Sequence, residues 1–349
     1  NKMNSKLNKS SRRIFIKKTG ISLASLSLIP EKIIGAPMFI PNLIKPNSNI
    51  NGVQIGVITY SFREMPDQSA EAILEYILSC GVNAIELMGD PAERFAGRPK
   101  SNVEMKRLYQ LIYKKEKSDL DRKELKELRE KIKNNREKAD KWRKSADLSK
   151  FEELGKLYKK AGVSIYAYKP NFILGTKNTN DEINFAMKAG KALGASHVTV
   201  ELPKEDHSLR LGKLAEKNNI YVGYHGHEQQ TPNWWDKALK QSPNNAINID
   251  IGHYTAAGNN DTLDFLQKKH MHIKSIHLKD RKNPKNGKEN VVWGTGDTPI
   301  KKVLRLMRDN KYKFPATVEY EYKTPSDSTI LKEVKKCVDY CKNALESKV

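Results

Sequence analysis

Short β-branched, apolar runs recur along the chain, separated by stretches whose apolar residues fall every third or fourth position. The strand-like runs lie at 53–60, 84–88, 163–168, 197–202, 220–225, 247–251, 273–278 and 316–320. Helical spacing fills 70–80, 150–161, 182–193, 208–218, 263–270, 299–310 and 330–345, with a weaker pattern at 232–241. Short strands alternating with helices imply βαβ units and a parallel sheet. Eight such units predict an α/β chain closed into a (β/α)₈ TIM barrel rather than an open doubly wound sheet. Local chemistry agrees. Ser69 precedes Ala70, Asp181 precedes Glu182, and Thr298-Pro299 puts proline at a first helical position. Gly81, Gly162 and Gly194 follow helices where a left-handed residue closes the last turn.

Residues 97–150 break this rhythm. The segment is rich in Lys, Glu and Arg, with Leu120, Leu125, Leu128 and Ile132 at helical spacing. It predicts one or two long solvated helices inserted after the second strand, either a plain polar face or a lid or homo-oligomer contact. Its apolar stripe is narrow, so it is expected to add little to the barrel core.

At the start, SSRRIFIKKTG is followed by a short apolar stretch and then IIGA before Pro37. The pair Arg12-Arg13, with Phe15 and Lys17 beyond it, resembles a twin-arginine export signal, with cleavage expected after Ala36 and the protein expected in the periplasm. The organisation expected is therefore a signal at 1–36, a Pro/Asn-rich linker at 37–52 and a barrel at 53–349 that carries the 97–150 insertion. No later run is long and apolar enough to span a bilayer.

The formal net charge is +22, but it is unevenly placed. Residues 1–36 carry eight Lys/Arg and one Glu, and residues 98–150 carry nineteen Lys/Arg and ten Asp/Glu. The rest of the chain is nearly balanced, so no nucleic-acid partner is expected. Cys80, Cys337 and Cys341 form no disulfide framework and no metal-binding pair motif.

Candidate chemistry sits at the strand ends. Side chains two apart share a strand face, so Glu201, Asp250, His277 and Glu319 all point into the barrel near its C-terminal rim, where barrel active sites form. Two Glu, one Asp and one His would suit one divalent ion: Mn, Co, Mg or Zn. Glu321 shares a face with Glu319 and is the alternative for the eighth strand. Buried charge is costly unless paired or metal-bound, so an internal salt-bridge network is the competing explanation. Around these lie Lys169 and Asn171 after strand three, Glu86 and Asp90 by strand two, His225 and His227 in YHGHE, His253 three residues beyond Asp250, and Arg281. Lys169, His225, His227, His253, Arg281, Glu86 and Trp293 are the candidate substrate-binding residues. Trp293 opens WGTGD, a loop whose backbone N–H groups are expected to hold ligand oxygens.

VTVELP, NIDIGH, IHLKDR, WGTGD and ATVEYEY together resemble the xylose isomerase-like TIM barrels of the sugar phosphate isomerase/epimerase type, over about 53–345 without the insertion. The resemblance implies that Glu201, Asp250, His277 and Glu319 hold one divalent metal, with Glu201 and Glu319 as catalytic base and acid. It also implies a sugar or glycoside substrate that loses a proton next to its carbonyl. Isomerase, epimerase and lyase chemistry all follow from that step, and exported members of this type resemble 3-keto-glycoside lyases. Two other functions share the barrel: a non-catalytic periplasmic sugar binder and an endonuclease IV-like nuclease. The nuclease needs more convergent histidines and carboxylates than the strand ends supply.

Overall fold

A computed structural model describes residues 45–347 apart from Asn102. The expected export signal therefore lies outside the described residues. Eight strands form the barrel: β1 Val53–Ile58, β2 Ala84–Met88, β3 Ser164–Lys169, β4 His197–Glu201, β5 Tyr221–His225, β6 Asn245–Asp250, β7 Ile273–Leu278 and β8 Ala316–Val318. Each pairs in parallel with the next, and β8 returns to β1 with Ile55 opposite Ala316 and Val57 opposite Val318. The expected barrel is closed, with the strands in sequence order.

Helices cover the outside because their apolar stripes need the strands' outward faces. Ile73, Leu74 and Ile77 of Ala70–Ser79 are buried, as are Val303, Leu304 and Met307 of Ile300–Asp309. Ser69 caps the first of these through the Ala72 N–H, as its sequence predicts. One cap differs. Helix Asn180–Ala192 is capped by Thr179, not Asp181, because Thr179 and Glu182 form a reciprocal capping box.

Two further segments depart from expectation. Residues 49–54, partly assigned to the linker, form a tight hairpin: Asn49 and Ile50 pair antiparallel with Gln54 and Val53 across an Asn51-Gly52 turn. The insertion contains two helices, Met105–Tyr113 and Asp119–Arg143, with a small core of their own made by Leu108, Leu111, Leu125 and Leu128. Leu120 is 79 % exposed and stands outside that stripe. Asp121 takes the core-facing position one turn before Leu125, as the partner of Ser118 in a capping box. No helix among the described residues is long and apolar enough to cross a membrane.

Candidate active site

The barrel interior is polar from floor to rim. His197 Nε2 and Asn248 Nδ2 both meet Ser275 Oγ, at 2.8 and 2.6 Å, and Asn248 Oδ1 holds His225 Nδ1 at 2.7 Å. Tyr166 and Thr317 share a hydrogen bond of 2.6 Å across the same interior. Each partner lies at an inward position of its strand, so period-two alternation lifts a chain of hydrogen bonds toward the C-terminal rim.

Above this network the charged residues converge. His277, at the end of β7, is fully buried, with Nε2 2.7 Å from Glu86 and Nδ1 3.0 Å from Glu319. Burial alone would lower its pKa, but Glu86 and then Glu319 outweigh it and push it up to about 10. Glu86 accepts a second bond from Thr199 at 2.5 Å. Glu86 therefore lies beneath the open site with both oxygens used, and it orients His277. Its expected contact with substrate is corrected on that ground.

Asp250 is also fully buried. It ends β6 and caps helix Ile251–Ala256, accepting the His253 N–H at 2.8 Å through Oδ1. The three-residue spacing from Asp250 to His253 is thus the spacing of a helix cap. Burial pushes the Asp250 pKa up to about 6 against the pull of Lys279. Its Oδ2 makes no hydrogen bond but lies 3.1 Å from the Lys279 ammonium.

Lys279 is the residue the sequence left without a role. It is 2 % exposed, and its Nζ lies 3.1 Å from Asp250, 2.8 Å from Glu319 and 2.5 Å from Glu321. Burial opposes its charge, but the three carboxylates raise its pKa. Burial disfavours the charged form of Glu319, yet Lys279 and His277 hold it well below the usual carboxylate range. Gly252 makes room for this lysine, since a Cβ there would collide with the Lys279 stem.

Histidines form the other wall. His225 is buried and its pKa is pushed well below the usual value, first by burial and then by Lys169. Its ring lies 4.9 Å from that of His277 and 5.3 Å from that of His227, and the His227 and His253 rings are 4.5 Å apart. Burial, then Lys279, pushes His253 down to about 2. Arg281 meets His253 Nδ1 at 2.6 Å and is itself held by Glu228 at 2.7 Å. Glu201 stands at the mouth, 45 % exposed, with Lys169 and His227 each 3.4 Å away and Oε2 accepting no hydrogen bond. A cleft of about 410 Å³ opens beside Glu321, Arg63 and Lys323.

Two ligand-sized groups of donors emerge: His225, Asp250 and His277, and His225, His227 and His253. The atoms of each group lie within 4.8 Å of one another. The four-residue set expected from sequence is thus redistributed. Asp250 and His277 stay together, and His225 joins them. Glu319 is drawn to His277 and Lys279, while Glu201 stays at the rim. His225, His227 and His253, expected beside the site, do converge with His277.

The glycine loop's N–H groups are turned to the chain's own carboxylate. Its Gly294 and Gly296 N–H groups donate to Asp280 at 2.7 and 2.9 Å, and a Cβ at Gly296 would strike that carboxylate. Trp293 is buried edge-on against Tyr340 of the last helix. The N–H groups of Gly294 and Gly296 in the WGTGD loop thus serve Asp280, while the buried Trp293 Nε1 makes no hydrogen bond. Trp235 is buried as well, with its Nε1 donating to Tyr224 O at 2.9 Å.

Residues 74–341 match the family model of the xylose isomerase-like TIM barrel. No curated protein matches the chain. Solved structures share its fold at low identity. A sugar phosphate isomerase/epimerase from Parabacteroides distasonis is 15% identical, covers 85% of this chain and 96% of its own, and gives a TM-score of 0.54. A xylose isomerase domain protein from Alicyclobacillus acidocaldarius is 13% identical, with 84% and 99% covered and a TM-score of 0.58. The 3-keto-D-glucoside 4-epimerase of E. coli is 10% identical, with 83% and 99% covered and a TM-score of 0.54. At these identities the likeness establishes the fold.

Proposed function

The chain belongs to the xylose isomerase-like TIM barrel family, and from that premise we propose that it is a divalent-metal-dependent enzyme of keto sugars. It removes a proton next to a carbonyl, as an isomerase or epimerase, or as a lyase on a 3-keto-glycoside. The single observation that carries this reading is the convergence of His225, Asp250 and His277, whose donor atoms lie within 4.8 Å of one another at the barrel's C-terminal end. A fully buried carboxylate needs a cation beside it, and two imidazoles next to that carboxylate complete a set of metal donors. The donor set mixes imidazole and carboxylate, which suits Mn, Co, Zn or Mg. Asp250, His277 and His225 would hold the ion, with Glu319 or Glu201 completing the shell. When bound, such an ion polarises the substrate carbonyl and stabilises the negative charge that develops on its oxygen.

The chain's own groups supply the proton chemistry. Glu201 is the base in this proposal, because one of its oxygens is uncommitted and its side chain reaches the mouth. Lys169 and His227, each 3.4 Å from it, orient it. Glu319 is held by His277 and Lys279 and serves as the second carboxylate, returning or relaying the proton on the far side. His253, held neutral and gripped by Arg281, presents a fixed ring to a sugar hydroxyl. Arg12-Arg13 supports a periplasmic setting, where unphosphorylated or oxidised sugars are the available substrates. The E. coli similarity brings a keto-glucoside to the same list.

The test is exchange of the substrate α-proton with D₂O, read by NMR, on protein loaded with each of the four metals and offered free ketoses and 3-keto-glycosides. Exchange or its committed product is the expected result. Metal binding without exchange or turnover on any of them would make the chain a sugar-binding barrel instead.

A further inference from the structure

We propose that Lys279 is a built-in counter-cation that occupies the metal's electrostatic place in the metal-free protein, so that metal affinity is set by competition with this ammonium. The inference rests on the metal-dependent reading above and concerns how that site is regulated. Four observations carry it. The ammonium is buried and bridges Asp250 and Glu319, which come from different strands and are both expected to face the ion. It sits within 3.2 Å of His253 Nε2 as well, so it lies among the site's donors. Gly252, two residues after Asp250, leaves space that no other residue type leaves for the lysine stem. Glu321 also holds the same ammonium, at 2.5 Å, and makes no contact with His277 or Asp250.

The charge balance gives the reason. Asp250, Glu319, Glu321, Glu86 and Glu201 gather at one barrel end, against His277, Lys279 and Lys169. Without Lys279 and without metal, Asp250 and Glu319 would be buried with too little opposing charge. With Lys279 the metal-free barrel is self-sufficient, and an incoming divalent ion must take Asp250 and Glu319 from the ammonium. Glu321 provides the place to which the displaced ammonium retires.

The experiment is a metal titration by calorimetry, with thermal unfolding alongside, on wild type, Lys279→Met, Glu321→Gln and the double variant, using Mn²⁺ and Zn²⁺ separately. Lys279→Met should bind metal tighter by roughly tenfold or more, since a unit charge a few ångströms from the ion is removed. Its metal-free form should melt lower than wild type and gain more in Tm on adding metal. Glu321→Gln should bind metal more weakly, because the ammonium has lost its alternative partner. That loss should shrink in the Lys279→Met background, where there is no ammonium to retire.

Unchanged or weaker binding by Lys279→Met overturns the proposal while leaving the metal reading intact, because wild type still binds. Wild type that binds neither ion overturns the metal reading itself, and this inference with it. Should Lys279→Met fail to fold without metal, Glu321→Gln and refolding of Lys279→Met in the presence of metal decide. An unaltered affinity in Glu321→Gln, or no rescue of folding by metal, sinks the proposal.

Discussion

Two buried carboxylate clusters sit in this barrel, and they differ in one respect. Beneath the insertion, Glu93 is fully buried, and both its oxygens are taken by Arg143, at 2.8 Å each, in a planar bidentate grip. Asn171 adds a third bond at 3.1 Å, and Arg98 approaches at 3.4 Å. Nothing on that carboxylate is left for a ligand. At the barrel rim, by contrast, Asp250 Oδ2 and Glu201 Oε2 make no hydrogen bond and are met only by the Lys279 ammonium at 3.1 Å and the His227 ring at 3.4 Å. Each cluster has a fully buried carboxylate, Glu93 in one and Asp250 in the other. A closed cluster stabilises the fold, whereas an open one is a site waiting for its ligand.

The largest expected effects come from emptying the open cluster. Glu201→Gln keeps the shape and one metal-facing oxygen but loses the base, so turnover should fall by ~10² or more while metal stays bound. His277→Ala should lose metal and turnover together, read by metal analysis of the purified protein. Full metal content in His277→Ala would break the distinction at its centre.

In the closed cluster the expected effect is on stability. Arg143→Ala leaves Glu93 buried without its bidentate partner and should cost ~3–5 kcal/mol in urea unfolding, with turnover per folded molecule nearly unchanged. Glu93→Gln in the same chain should recover part of that loss. This alters the expectation that the insertion is dispensable: deleting 100–145 removes Arg143 and should destabilise the barrel unless Glu93 is neutralised with it. Equal stability of Arg143→Ala and wild type would reduce the closed cluster to a surface detail.

How much of this was legible in the sequence follows from what each signal depends on. The eight strands and their order were readable because β-branched runs and helical spacing are local patterns. Asp250, His277 and Lys279 were legible as inward-facing from strand parity. Their partners were not, because contacts such as His277–Glu86 join residues 191 positions apart, and which carboxylate captures which cation depends on three-dimensional distance. The Trp293 loop misled because glycine-rich N–H groups look alike whether they hold a phosphate or, as here, the chain's own Asp280. The Glu93–Arg143 pair was hidden among the charges of a segment whose composition reads as solvated surface.

A smaller effect sharpens the role of Glu86, which orients within the open cluster without facing its ligand. Glu86→Gln should weaken metal binding by about 10–100-fold, the usual cost of losing a carboxylate behind a metal-bound histidine. The pH dependence has a definite sign in the metal-free protein. His277 is raised in the fold to about 10, above the ordinary histidine value near 6.5. Its protonation therefore contributes stability in full below about pH 6.5, and that contribution is lost as pH rises through about 10. Melting temperatures of metal-free wild type should decline over that window, and the decline should shift to lower pH in Glu86→Gln. A flat profile would mean that His277 is not held between charged carboxylates.

The smallest expected effect tests whether the insertion's outer surface belongs to either cluster. Leu120 is apolar and sits beside the insertion's small core, yet it is 79 % exposed, because Asp121 fills the inward position as a capping partner. A side chain already in water gains nothing from folding, so Leu120→Gln should change stability by no more than ~0.5 kcal/mol. Tyr109, Ile112 and Tyr113 also stand exposed on the preceding helix, and Leu120 is the cleanest probe of whether that surface is free in solution. The measurements are urea unfolding and sedimentation of wild type and variant at the same concentrations. A loss above 1 kcal/mol, or a wild-type oligomer that the variant dissolves, would show that a second copy covers Leu120. The insertion would then be an oligomer contact whose apolar side is completed by its neighbour, and the contrast between closed and open clusters would extend to a third surface, closed by assembly.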